Sequence, residues 1–582
     1  MIMKKNFFTC IALVALSASS ALYANVTLGE VESVSLNGVY DSSLGGDEPT
    51  TNVMAYSGND LYVSGNFNKA FNGFVPLTTG DAYIIKYNQN LEEQWKVQLQ
   101  GAVSVTAMLA DGEGGMYIAG TLADVVEFGS TDNNTQSIAG YEDETWGEYT
   151  TYKAASFVSH YNSEGVLLAI KSILPKIDQK LNDYATENGL WAMILDGDTY
   201  CSITKLIEMD GSILAVANLK GSVETADGTQ TAVSGSYANA DAGLAAPSAA
   251  GIVMELDDEL NVESFPVVVA SRFCGDGNVA DESVTSFTAA AGDNKLYVAF
   301  NSVGTINVNA YNATEQVANE MPGDEGGSNY GYTVVAASAD GEMQLKNYET
   351  VYVSVLTQAT GIDELEAVGN RLVVTGLFQN ALGFDKNITA TSGSDMYVAS
   401  INAETLNTEW AVATGYNEGD TNDYQEFIAG SAISGNAAYV YGYNEDKNSD
   451  GKTASLLYAV DLNGNNISDM KPADYILGMA ENGSTRIATA HAASPVTDVT
   501  FTTYDATTSA VRNIAADKSQ QVSVYPNPVA DALNFSLPCD VEVYSLDGKQ
   551  VLDVAGATSV DVSGLNSGVY VVKTVTAGET SF

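Results

Sequence analysis

The sequence predicts an all-β protein: a seven-bladed β-propeller followed by a small C-terminal β-sandwich of immunoglobulin-like type. Three observations lead there. A two-part phrase of strand-forming residues recurs seven times within residues 25–510. The turns inside the phrase are short and rich in Gly, Asn and Asp, whereas the other connections are long. After a polar linker at 511–521 the pattern changes, and residues 522–582 alternate apolar and polar cleanly, as half-buried strands do.

Residues 1–24, "MIMKKNFFTCIALVALSASSALYA", come first. A basic start with Lys4 and Lys5, an apolar run over 7–16 and small residues afterwards make a secretory signal peptide, too short to span a membrane. Cleavage after Ala21 or Ala24 fits the small residues there. Cys10 lies inside the apolar run, which argues against a lipid anchor. No later run approaches membrane-spanning length.

The first half of the repeated phrase is a tight turn and an apolar strand. "YSGNDLYVSGNF" is followed by "ADGEGGMYIAGTL", "MDGSILAVANL", "AGDNKLYVAFNS", "VGNRLVVTGLF", "SGNAAYVYGYN" and "ENGSTRIATAHA". The second half reads "DAYIIKYNQN", "SFVSHYNSEG", "GIVMELDDEL", "YTVVAASADG", "MYVASINAET", "LLYAVDLNGN" and "TFTTYDATT". β-Branched and aromatic residues between Gly/Asn/Asp turns read as strands. With their flanking strands they give four per repeat, and seven such units are the signature of a propeller. The divergent third and fourth repeats leave six or eight blades open. The seventh repeat is short of a strand, while "EVESVSLNGV" at 30–39 is a spare one, so it is expected to complete the last blade.

Strand parity then places the connections. Numbering each blade A to D outward, the A–B and C–D turns share one face and are tight. The excess length falls in B–C loops at 123–155, 220–250 and 303–331 and in a D–A segment at 171–199, all on the other face. Insertions on one face of a repeat protein mark its binding face. They contain "YEDETWGEYTTY", with Tyr141, Trp146, Tyr149 and Tyr152 among carboxylates, and also Trp191, Tyr237 and "MPGDEGGSNYGY". Aromatics among carboxylates suit sugar rings or a protein partner, and equally suit pinning the loops to the blades. Trp95 and Trp410 occupy equivalent places in two repeats and read as packing residues.

Composition narrows the chemistry. A net charge of −49 repels nucleic acid and anionic membrane and favours a soluble extracellular protein. Outside the leader stand Cys201, Cys274 and Cys539, an odd number that argues against a disulfide framework and leaves a single Cys201–Cys274 bridge open. The two histidines, His160 and His491, are the only ones a Ser-His-Asp triad could use, and a strand histidine is ordinarily structural. "DKNSDGK" has the D-x-N-x-D-G spacing of a calcium loop through Asp446, Asn448 and Asp450, but Ala454 and Leu457 stand where ligands nine and twelve belong. Calcium is therefore the one cofactor considered, against a plain polar turn. No HExxH or GxSxG occurs, and paired acids for glycoside chemistry stay open.

The repeats "GNDLYVSGNF…GDAYIIKYNQN" and "GNRLVVTGLF…SGSDMYVASINAETLNTEWA" resemble the propeller repeats of secreted Bacteroidetes proteins. In the tail, Asp547-Gly548 reads as a two-residue hairpin turn, and the prolines of "YPNP" belong at an edge strand. "VYPNPVADALNFSL", "VEVYSLDGKQVL" and "LNSGVYVVK" resemble the type A C-terminal sorting domain of the Bacteroidetes type IX secretion system. The likeness is carried by Tyr525, Pro526, Asn527 and Pro528, by Asp547, Gly548 and Lys549, and by Gly568, Tyr570 and Lys573. Membership implies passage through the general secretory pathway and then the outer membrane, with the secretion machinery as partner. It also implies removal of the domain, followed by release or attachment to surface lipopolysaccharide. Family members usually continue after the last motif with a lysine-rich strand, whereas here "AGETSF" follows. The expected protein is a secreted or surface-attached binding scaffold for a glycan or protein. The competing reading is a carbohydrate-active enzyme that uses loop carboxylates.

Overall fold

The structure, a computed structural model, describes residues 25–37, 39, 53–78, 80–140, 144–146, 149–151, 155–190, 199–239, 243–278, 281–319, 327–328, 331–349, 353–354, 361–379, 381–390, 394–414, 424–433, 437–446, 452–464, 467–470, 474–483, 486–492, 498–509, 524–525, 529, 531–545, 549–566, 568, 570–576 and 579–581. The chain divides into two compact units, one spanning Val26–Thr508 and one C-terminal to it.

In the larger unit each repeat folds into an antiparallel four-stranded sheet. The first runs Val53–Ser57, Asp60–Asn66, Ala82–Tyr87 and the opening half of Glu93–Ala110. At Gly101 that long strand skips a residue and turns to pair with Met116–Phe128, so one strand ends the first blade and starts the second. Gly101 has φ +139°, and a Cβ there would lie 3.0 Å from the Val125 carbonyl, so only glycine fits the switch. The other innermost strands are Tyr200–Met209, Ser283–Gly292, Gly361–Val368, Tyr424–Ile433 and Tyr475–Glu481. The last sheet is completed from the other end of the chain: Asn25–Leu36 lies beside Val499–Ser509. Ser35 Oγ meets Thr500 Oγ1 at 2.8 Å and Thr503 Oγ1 donates to Glu32 O at 3.4 Å, opposite directions along an antiparallel pair. The strand expected at 30–39 closes the ring, beginning five residues earlier at Asn25.

Period-two alternation is what makes a ring. In the first blade Tyr62 and Ile84 face the second blade, while Val63, Tyr83 and Ile85 face the last one. Seven apolar cores result, each between two consecutive units, and the seventh joins the last unit to the first. The innermost strands touch in the same cyclic order. A fully buried large side chain contributes about 2 kcal/mol, whereas an exposed ion pair gives at most about 1 kcal/mol, so the blade faces hold the ring together.

Trp95 and Trp410 do pack between blades, in equivalent ways. Trp95 Nε1 donates to Ser163 O at 3.0 Å and Trp410 Nε1 to Leu462 O at 3.3 Å, each reaching a turn of the next blade. Each indole lies against a turn glycine at positive φ: a Cβ on Gly165 or Gly464 would come within 2.6 or 2.5 Å of the ring.

Parts of the insertions that are described form strands and a helix. Thr305–Ala310 and Ala313–Ala318 form a hairpin that pairs with Val262–Ser271, so a loop of the fourth blade covers the outer edge of the third. Lys176 and Ser222 exchange two backbone hydrogen bonds of 2.8 Å, tying a D–A segment to a B–C loop. A helix, Gln179–Glu187, lies in what reads as loop in the sequence. Asp178 caps it through Lys180 N, and Leu181 and Ala185, one turn apart, bury against Ala245 and Ala246. The bridge that the sequence left open between Cys201 and Cys274 is not formed: both are buried and free, Cys201 on an inner strand and Cys274 in a short 3₁₀ turn among the insertions. Among the described residues no helix is long and apolar enough to cross a membrane.

In the C-terminal unit Ala532–Ser545 is the central strand of a five-stranded sheet. Its register with Gln550–Asp561 breaks between Asn534 and Cys539, around Pro538, so its two halves pair differently. Val524–Tyr525 flanks the first half and Tyr570–Thr576 the second, around a core of Leu533, Phe535, Val541, Val543 and Val572.

Candidate functional site

Six of the seven innermost strands skip one residue at the same place in the repeat. The bulged residues are Thr106, Thr204, Thr285, Asp363, Ala429 and Leu477, each following a Val or Ile. A bulge re-aims its side chain, and these are all partly or fully accessible along the axis, while the residues before them, such as Ile203, Val284 and Ile362, are buried.

The inner strands enclose two cavities, of 720 and 390 Å³. They share Thr204, Lys205, Glu364, Ser431 and Tyr441. Lys205, from the third blade, reaches past the fourth to the fifth. Its Nζ donates to Glu364 Oε1 at 2.6 Å, Glu366 Oε1 at 2.7 Å and Leu365 O at 2.8 Å, which uses all three of its protons. Burial opposes the charge of Lys205, but Glu364 and Glu366 outweigh it and hold the ammonium well above the usual lysine range. Burial also raises Glu364, with Lys205 pulling the other way. Asp363 accepts from Ser431 Oγ at 2.5 Å. The Asp363 side chain is accessible within the channel. Desolvation raises its carboxyl above the usual range, with the Ser431 bond and Lys205 pulling the other way.

Other ionisable groups serve the scaffold. Glu426 is fully buried between the fifth and sixth blades, where it accepts from Met396 N at 2.9 Å, Thr414 Oγ1 at 2.7 Å and Tyr458 OH at 3.0 Å. Burial, then nearby Asp395, pushes its carboxyl up to about 7. Asp81 accepts from Leu77 N, Thr78 N, Gln98 Nε2 and Gly101 N, clamping a B–C loop of the first blade. His160 Nε2 is 3.0 Å from Asp111 Oδ2 and stacks on Tyr117. His491 lies between Asp474 Oδ2 at 3.2 Å and Thr502 Oγ1 at 2.9 Å, an acid–imidazole–hydroxyl chain. Thr502, at 3% exposure, is too buried to attack a substrate.

Of the loop residues singled out by sequence, Trp146 and Tyr149 are partners in a small hairpin, Glu144–Trp146 with Tyr149–Thr151. Tyr141, Tyr152 and Trp191 lie outside the described residues, as do Asn448 and Asp450. Asp446 ends the strand Ala437–Asp446 opposite Tyr424. Among the described residues no three His, Cys, Asp or Glu side chains are grouped to hold a metal ion. The channel residues Lys205, Asp363, Glu364 and Glu366 were not among the sequence candidates. The one available signal was a recurring triplet, "SVT" at 104–106, "SIT" at 202–204 and "SVT" at 283–285.

In the C-terminal unit, Tyr525 pairs with Asn534 on a strand at the edge of the sheet, while Pro526, Asn527 and Pro528 lie outside the described residues. Ser545 N donates to Lys549 O at 2.9 Å across a hairpin whose Asp547 and Gly548 also lie outside them. Gly568 is exposed; Tyr570 is buried and donates to Asn566 O at 2.7 Å. Lys573 sits opposite Glu542 and binds it at 3.2 Å. Residues 523–582 match the family model described as "Secretion system C-terminal sorting domain". The tail is a type IX secretion sorting domain. The sorting domain makes the chain cargo of the type IX machinery, bound for the cell surface or the extracellular space. No curated protein matches the chain. Among solved structures it is similar to polysaccharide lyase Uly1 (9% identity, TM-score 0.36, covering 83% of this chain and 99% of that one). It is also similar to the β-propeller domain of the Trilobed protease from Pyrococcus furiosus (9%, 0.28, 74% and 99%). A third is the hemagglutinin-neuraminidase ectodomain of parainfluenza virus 5 (10%, 0.33, 84% and 87%). Likenesses at these scores carry no argument about what the propeller binds.

Proposed function

We propose that the propeller is an extracellular binding scaffold that presents its insertion-bearing face to a glycan or protein ligand. The observation behind this reading is a set of exposed apolar side chains on connections of that face. Val75, Leu77 and Val125 are 61, 69 and 62% exposed. All three stand around the Asp81 clamp: Gln98 Nε2 bridges Val75 O and Asp81 Oδ2, Leu77 N donates to Asp81, and Gly101 packs on the Val125 carbonyl. Large apolar side chains held in water on an ordered loop mark an interaction site. The described hairpin and helix of the later insertions lie on connections of the same face. The acidic surface, with few Lys and Arg, favours neutral or basic ligands over acidic polysaccharides.

A glycan array combined with a hydrolysis assay, run on the full chain, tests this. Binding without turnover, weakened at least tenfold by Val75→Ser/Leu77→Ser or by deletion of 141–152, is the expected result. Binding that survives trimming of all the long loops overturns it. Release of shortened glycans transfers the protein to the carbohydrate-active class.

A further inference from the structure

We propose that the ring of bulged side chains inside the channel is a binding site for one neutral, polyhydroxylated ligand of sugar-ring size. This rests on the scaffold reading and adds a second, axial site to it.

Around the axis the bulges run Thr106, Thr204, Thr285, Asp363, Ala429, Leu477. Four oxygen-bearing side chains follow one another, then two apolar ones. A pyranose has the same division, with hydroxyls at its rim and C–H groups on its faces. The polar arc has unused capacity. Thr285 Oγ1 is accessible and has no hydrogen bond among the described residues. Thr204 Oγ1 makes one long contact, 3.5 Å to Val216 O. Asp363 receives Ser431 on Oδ2, which leaves Oδ1 to accept from a ligand hydroxyl. By contrast Thr106 Oγ1 is committed to Ile203 O at 2.5 Å, so the arc is open at three positions.

Size and charge narrow the ligand. The 390 Å³ cavity holding Thr204, Thr285 and Asp363 lies at the small end of ligand pockets. Among the described residues Lys205 is the one cation beside Asp363, Glu364 and, at the neighbouring cavity, Glu366, so the site repels carboxylates, sulfates and phosphates. Lys205 binds Glu364 Oε1 and Glu366 Oε1 and so balances one of the three carboxylate charges there. Access is from the insertion-bearing face: Thr285 and Asp363 are the third residues of Ser283–Gly292 and Gly361–Val368, and Asn218 lies near the loop end of Ser212–Lys220.

The test uses the full chain on an array of neutral oligosaccharides and matched uronic-acid oligosaccharides. Thr285→Val, Thr204→Val and Asp363→Asn are compared with wild type, and melting temperature is read in parallel. The two threonine variants exchange a hydroxyl for a methyl of the same shape, so they report even if Asp363→Asn fails to fold. Support is binding of a neutral oligosaccharide that Asp363→Asn weakens at least tenfold and each threonine variant several-fold, without loss of melting temperature. Unchanged binding in all three variants overturns the site, as does a preference for the uronic-acid series. If Val75→Ser/Leu77→Ser abolishes binding while the ring variants do not, the scaffold reading stands and the axial site falls. If no oligosaccharide binds, the axial site falls and the scaffold reading then rests on protein ligands alone.

Discussion

Gly464 and Trp410 show how much one hydrogen atom decides at a blade junction. With φ +70° and a virtual Cβ 2.5 Å from the indole, Gly464→Ala must both strain the backbone and push Trp410 off the turn whose carbonyl it binds. Gly483 has a similar φ of +74° but nothing within 4 Å, so Gly483→Ala isolates the backbone cost of about 1 kcal/mol. Urea unfolding should place Gly464→Ala about 1–3 kcal/mol below Gly483→Ala; equal loss in the two would deny the indole its role. The equivalence of Trp95 and Trp410 was legible because identical spacing in two repeats implies identical surroundings. Lys205 was not. Its partners Glu364 and Glu366 are two blades away in sequence, and only ring closure brings them across the axis.

Among the elements, the fifth and sixth blades join through Glu426, and the pH dependence of that junction follows from its carboxyl. Its pKa of about 7 when folded exceeds the ordinary value of 4.5, so the folded state binds this proton more tightly than the unfolded one. Its contribution is therefore greatest below pH 4.5 and falls as pH rises toward 7. A shift of that size corresponds to roughly 3 kcal/mol. Glu426→Gln, which cannot ionise, should flatten the fall in stability between pH 5 and 8, measured as the difference in unfolding free energy between wild type and variant. Parallel slopes would refute the assignment. At this scale strands, tight turns and the closing strand were legible, since alternation and Gly/Asn/Asp punctuation are local signals. The helix Gln179–Glu187 was missed because its apolar stripe is only Leu181 and Ala185, hidden in a polar segment. The bulges were missed because a skipped residue shows only when the partner strand is known.

For the whole molecule, the sorting domain sets the destination and the propeller sets the cargo. Deleting 522–582 should leave a folded propeller in the periplasm, seen by fractionation together with a cooperative melting transition. Appearance of the truncated chain in the medium would contradict the type IX assignment. The destination was readable from a handful of tail residues because turn and strand signals of that small unit are local in sequence. The channel chemistry was not, since it depends on six strands meeting around one axis.

The closing strand has a consequence for biosynthesis. Asn25–Leu36 is made long before its partner Val499–Ser509, which directly precedes the segment leading to the sorting domain. A chain interrupted anywhere between them keeps an unzipped first strand and an open seam for proteases. The ring therefore closes only once Val499–Ser509 has been made, shortly ahead of the residues that carry the address.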